Sequence, residues 1–146
     1  NAAGKVDVAV EEPEFLLAKR EVSLSGKAGE TEFGGLKIQW ERLSGGFDKW
    51  RELGQMNNRE VFNAASIGQS ITLRHWQPGD RYKPIGQAGT TKLQDLFVNQ
   101  KIPKPERRGL VVAEDANGQL FWVQKLRIAD SGKVTGSTRE LLLLSW

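Results

Sequence analysis

RHWQPGDRYKPIGQAGTTKLQDLFVNQKIPKPERR, residues 74–108, sets out in order a strand end, a tight turn, an amphipathic helix and a second turn. Pro78-Gly79 fits the central pair of a type II turn, in which glycine takes the positive φ that other residues resist. Asp80 follows, placed to bond the turn's backbone or to clamp Arg74 or Arg81, so Pro78, Gly79 and Asp80 are read as a structural turn. A helix is predicted over residues 91–100. Thr91 with Gln94 three positions on makes a capping box, and Leu93, Leu96 and Phe97 share one face. Pro103 stops that helix, and Pro105 suits the first position of a further short turn ended by Gly109.

The sequence on either side is strand-like. Downstream, Leu110-Val111-Val112 and Leu120-Phe121-Trp122-Val123 flank Asn117-Gly118, a strong hairpin signal. Residues 126–129 and 138–146 supply two more strands. Upstream, Ile71 and Leu73 lead a strand into the run, and Leu36, Ile38 and Trp40 alternate with Lys37, Gln39 and Glu41 as a half-buried strand. Val6, Val8 and Val10 alternate before Glu11-Glu12-Pro13. Residues 15–24 read as a strand or a short helix, 23–29 as a loop, and the polar stretch 47–58 as a linker or subdomain joint. The expected class is α+β: a mostly antiparallel, sandwich-like sheet domain with one or two short helices. The expected division is a β-rich subdomain or linking segment over 1–58 and a second unit over 59–146.

With 146 residues the chain makes one domain, or two small ones sharing a core. Zero cysteines exclude disulfides and thiolate metal sites and fit a cytoplasmic setting. With a single histidine as well, no structural metal is expected. Leu141-Leu142-Leu143-Leu144 falls far short of the ~20 apolar residues of a membrane helix, so no membrane association is expected. The composition at Asn1 reads as the interior of a longer protein.

Residues 74–108 carry eight bases against three acids, a net +5, while the 73 residues before them stand at −2 and the 38 after at zero. A concentrated basic block is the footprint a polyanion reads, and a solvated face is the alternative. Phosphate contacts need flexible or forked cations rather than a fixed constellation. The candidates are Arg74, Arg81, Lys83, Lys92, Lys101, Lys104, Arg107 and Arg108. Trp76 and Tyr82 lie inside the run and are read either as base-stacking residues or as core. Phe97, Leu120 and Trp122 are read as core. His75 is read as a surface or stacking residue, since acid–base work with Asp80 would need a convergent pocket that the sequence does not suggest.

The order of these pieces resembles the C-terminal domain of the tRNA(Ile)-lysidine synthetases. The matching pieces are Arg74 with Pro78-Gly79-Asp80-Arg81-Tyr82, Pro84 and Gly86, then Thr91-Lys92-Leu93-Gln94-Asp95-Leu96-Phe97, Lys101-Ile102-Pro103 and Glu106-Arg107. Leu126-Arg127-Ile128 and Arg139-Glu140-Leu141 extend the likeness, which covers roughly 60–146 and fades over 1–59. The resemblance implies a parent enzyme that adenylates the wobble cytidine of the isoleucine tRNA with the CAU anticodon and attaches lysine there, using ATP with magnesium. It implies that this stretch holds no cofactor and no catalytic residue, and helps grip the tRNA at its acceptor stem.

Ser44-Gly45-Gly46-Phe47-Asp48 looks like that family's SGGxDS nucleotide loop. Such a loop should follow a buried parallel strand, whereas residues 37–43 alternate, so a glycine turn is expected instead. Two other readings stand beside RNA binding. One is a protein-interaction or homodimerisation module in which the acidic first half meets a basic face. The other is a small independent enzyme, supported only by that loop and His75.

Overall fold

The structure is a computed structural model and describes residues 17–146, so the Val6/Val8/Val10 alternation lies outside the described residues. Strands β2 (Ala28–Phe33) and β3 (Leu36–Ser44) form a hairpin closed by Gly34 and Gly35. Both glycines have positive φ, +59° and +78°, as a two-residue turn matching strand twist requires. Ile38 and Trp40 on β3 are buried and their neighbours exposed, as the alternation predicts. Strand β10 (Glu140–Ser145) pairs with β3 on one side and with β4 (Arg59–Asn63) on the other.

That central position explains the four leucines. Leu142 and Leu144 join the main core, whereas Leu141 and Leu143 join a smaller cluster with Val61, Trp50 and Leu53. Trp50 and Leu53 come from helix α1 (Phe47–Leu53), which occupies the stretch expected to be a linker. A strand covered on both faces reads as a continuous apolar run rather than an alternating one.

The other sheet has the order β9 (Leu120–Val123), β8 (Val111–Glu114), β5 (Ser70–His75), β1 (Lys19–Ser23), all antiparallel. Short helix α2 (Ala64–Ile67) carries the chain from β4 to β5, and the Asn63 side chain accepts from the Ala65 N–H at its start. The sheets pack face to face. Phe62 meets Phe121 edge-on at 4.9 Å, and Phe33 meets His75 at 4.9 Å, each ring pair crossing between sheets. The α+β, mostly antiparallel expectation agrees with this architecture. Strands before and after position 58 share both sheets, so no sheet boundary falls there.

Over the 74–108 run, β6 (Arg81–Tyr82) and β7 (Thr91–Lys92) pair as a small hairpin, followed by α3 (Leu93–Asn99) and α4 (Lys104–Arg107). The capping box does not form. Thr91 is spent in β7, Lys92 is the N-cap, and no side chain caps the helix. Leu93 and Phe97 enter the core as expected. Residues 126–129 form only a bridge, Ala129 to Pro84, rather than a strand. The 115–119 turn is held by the Asp115 carboxylate, which accepts from the N–H groups of Asn117 and Gln119.

Candidate nucleic-acid interface

The Arg74 guanidinium leaves β5 between two carboxylates. Its Nε donates to Glu114 at 2.6 Å, and its two Nη atoms fork onto both oxygens of Asp80 at 3.0 and 3.1 Å. One Nη also donates to the His75 carbonyl at 3.0 Å. Asp80 in turn accepts from the Gln77 N–H at 2.6 Å, closing the turn around Gly79 at φ +92°. Leu93 N–H donates to the Asp80 carbonyl at 3.0 Å, which ties the start of α3 to the same turn.

Only 11% of the Arg74 side chain is exposed. Burial disfavours its charge, yet the hydrogen bonds to Asp80 and Glu114 outweigh that and hold its pKa above the ordinary value. The expectation that Arg74 meets phosphate is therefore corrected, because its donors are engaged inside the domain.

Burial also decides between the alternatives left open at Trp76 and Tyr82 and overturns the reading of His75. Trp76 is buried edge-on against Phe97 at 5.1 Å, so its face is unavailable to a base. Tyr82 is buried and its hydroxyl donates to the Arg127 carbonyl at 2.7 Å. Burial pushes the Tyr82 pKa up to about 12 against the opposing charge of Arg127. His75 is neither surface nor stacking. Its ring is buried beside Phe33, with Nδ1 3.3 Å from the Leu110 carbonyl.

The remaining cations fall into two groups at the ends of α3. Arg81 and Lys92 are cross-strand partners in the β6–β7 hairpin, and both are exposed. Lys83 lies beyond them, 3.5 Å from Asp130, which also binds Lys133 at 3.0 Å. The hydrogen bond from Lys133, followed by that from the Gly86 N–H, keeps the Asp130 carboxyl below its ordinary pKa.

At the other end stand Lys101, Lys104, Arg107 and Arg108. Lys101 turns the chain at φ +58°, and the buried Ile102 side chain anchors the turn. Lys101 and Lys104 are exposed, and Arg107 and Arg108 half-buried. Arg107 Nε donates to the Ile102 carbonyl at 2.8 Å, which fixes the base of its side chain. A seven-residue helix separates the groups by roughly 10 Å.

Below the hairpin lies a groove of about 1030 Å³ between α1, the start of β4, α3 and residues 125–128. Arg51, Arg59, Lys125 and Arg127 line it, with Glu60 as its carboxylate. Sequence reasoning missed these cations. Arg51 lies in the stretch read as a linker, and Lys125 and Arg127 fall outside the basic run in a stretch of zero net charge.

The Ser44-Gly45-Gly46 loop joins antiparallel β3 to α1 and is closed by the chain itself. The Gly45 N–H donates to the Arg139 carbonyl at 2.9 Å, and a Cβ on Gly46 would strike the Thr138 carbonyl. These residues do not fit a nucleotide phosphate. Among the described residues, no group of three or more His, Cys, Asp or Glu side chains could hold a metal ion. No helix among them is long and apolar enough to cross a membrane.

The family model described as the TilS substrate C-terminal domain matches residues 71–146. The chain belongs to that family. The tRNA(Ile)-lysidine synthase of Clostridium acetobutylicum is 33% identical over 85 residues, 58% of this chain and 18% of the relative. That of Geobacillus kaustophilus is 35% identical over 88 residues, 60% of this chain and 19% of the relative. A crystal structure of a TILS C-terminal domain superposes with a TM-score of 0.67 at 27% identity, covering 88% of this chain and 97% of that one. The chain spans less than a fifth of the length of these curated relatives. Structural likeness thus reaches further along the chain than the family match does.

Proposed function

We propose that this domain holds tRNA for a lysidine synthetase and takes no part in the chemistry. The supporting observation is the pair of cation groups flanking α3, Arg81 with Lys92 and Lys101 with Lys104, in a domain of this family. Long cations on a rigid sheet scaffold suit a duplex stem, which offers phosphates and 2′-hydroxyls to be read largely by shape. The expected ligand is the isoleucine tRNA with the CAU anticodon, gripped at its acceptor stem in the cytoplasm. ATP with magnesium and lysine belong, in this reading, to a catalytic domain elsewhere in the parent enzyme.

The test is fluorescence anisotropy of the chain with that tRNA, a second tRNA and an acceptor-stem duplex across a salt series. Micromolar affinity is expected, falling with salt as neutralisation of roughly three to five phosphates demands. Charge reversal at Arg81, Lys92, Lys101 and Lys104 together should abolish binding while leaving the melting curve in place. RNA affinity untouched by that change would overturn the assignment. A concentration-dependent, salt-insensitive dimer without RNA affinity would favour the protein-interaction reading.

A further inference from the structure

The groove beneath the β6–β7 hairpin has features that a duplex grip does not use. At about 1030 Å³ it sits at the top of the ~300–1,000 Å³ range of small-molecule sites, and it is partly open to solvent. Three guanidiniums face one carboxylate, Glu60, and the Lys125 ammonium is already paired with Glu106, which leaves an excess of two positive charges in a concave site, where field lines concentrate. Arg59 is fixed there, since one of its Nη atoms donates to the carbonyls of Leu53 and Gly54 at 3.0 and 3.1 Å. Its Nε is buried and has no acceptor among the described residues. A buried guanidinium N–H is costly to leave unpaired, and an anion or a base carbonyl arriving in the groove would satisfy it.

The walls fit the flat part of a nucleotide. Met56 is 60% exposed and Trp50 half-buried, giving apolar lining to the same groove as Arg127 and Arg51, whose guanidinium lies over the Phe47 ring at 5.7 Å. Gln55, Gln87 and Gln100 add amides able both to donate to and to accept from a base edge. Stacking surfaces, planar cations and amides are the means by which unpaired bases are recognised. The groove also adjoins the second cation group, because its Lys125 pairs with Glu106 of α4 at 3.0 Å, on the same turn as Lys104 and Arg107.

We propose that this groove binds unpaired RNA nucleotides, taking the single-stranded tail that continues from a duplex held on the α3 cations. The inference rests on the RNA-holding reading above, and its test separates the two. Anisotropy would compare a blunt acceptor-stem hairpin with the same hairpin carrying its single-stranded 3′ tail, both against the 146-residue chain. The tail should raise affinity about tenfold, the contribution of a single stacked base. Met56→Glu, which sets a carboxylate in the groove, should remove that gain and leave blunt-hairpin affinity unchanged. Arg51→Glu with Arg127→Glu should do the same, and folding of both proteins is checked by their melting curves. Equal affinity for tailed and blunt hairpins would overturn the groove assignment while the duplex reading stood. Failure of both RNAs to bind would overturn both. A tail gain that survives Met56→Glu and the double arginine change would place the tail elsewhere and overturn the proposal.

Discussion

Arg74 donates to two carboxylates and a backbone carbonyl with 11% of its side chain exposed, whereas Lys101 and Lys104, in the same basic run, stand out in solvent. Formal charge is the same at all three positions. Arg74 lies on a central strand of its sheet and is surrounded by backbone it must organise, while Lys101 sits on the turn past α3 and Lys104 at the start of the short helix α4. A cation count therefore overstates the surface available to a polyanion, and the buried member of the run instead braces the scaffold that carries the others.

The largest expected effect tests that contrast. Arg74→Ala would leave Asp80 and Glu114 without their counter-charge and open the 77–80 turn, costing about 3–5 kcal/mol. That is a large part of the ~5–15 kcal/mol that holds a typical domain together. Arg74→Lys should recover only part of it, because an ammonium cannot fork onto both Asp80 oxygens. Lys101→Ala and Lys104→Ala should each stay within about 0.5 kcal/mol of the parent. Urea titration of the four variants reads these differences directly. A loss under about 1 kcal/mol for Arg74→Ala would collapse the distinction between bracing and exposed cations.

Tyr82 gives the next, smaller test. The expectation of base stacking and the observed burial make opposite claims about one side chain. Tyr82→Phe keeps the ring and deletes the hydroxyl that donates to the Arg127 carbonyl at 2.7 Å, so it should cost about 1 kcal/mol and leave RNA affinity alone. Its pKa of about 12 adds a sign. The folded chain keeps a phenolic proton that the unfolded chain releases near 10, so this contribution is intact below pH 10 and is lost as pH rises toward 12. Because the chain has a single tyrosine, a spectrophotometric titration follows this group alone. Ionisation near pH 10 without unfolding would show the hydroxyl to be in water.

What was legible in the sequence follows from how local each signal is. The Leu36–Trp40 strand, the Pro78-Gly79 turn and the Asn117-Gly118 hairpin depend on residues near in sequence, and their pattern carries them, whereas β2 and its Gly34-Gly35 turn were not read. The Asp80 clamp on Arg74 was foreseeable as one of a few options because six residues separate the pair. Glu114, 40 residues from Arg74, was not. The double burial of Leu141 to Leu144 depends on β3, β4 and α1 arriving from elsewhere, so the run was legible as a strand too short for a membrane but not as one covered on both faces. Trp76 and Tyr82 were ambiguous for the same reason, and His75 was misread as a surface or stacking residue. An aromatic residue between cations looks alike in sequence whether Phe97 or solvent covers it. The groove escaped altogether, since its cations come from distant segments that no local window joins.

Glu60 supplies the smallest expected effect and inverts the Arg74 arrangement. At Arg74 the hydrogen bonds to two carboxylates win over burial, whereas at Glu60 burial wins over the pull of Arg127 and lifts the carboxyl above its ordinary value of 4.5. The folded chain therefore holds a proton here that the unfolded chain gives up. This contribution to stability is complete below about pH 4.5 and is lost as pH rises through the folded value. Glu60→Gln removes the titration, so it should match the parent at acid pH and melt slightly higher at neutral pH. Solvent screening at a partly exposed site keeps the gain under about 1 kcal/mol. Thermal melts of both proteins from pH 4 to pH 7.5 would show the two curves diverging. If Glu60→Gln were instead the less stable at neutral pH, attraction to Arg127 would outweigh burial, and the groove would hold an ion pair of the same kind as the one at Arg74.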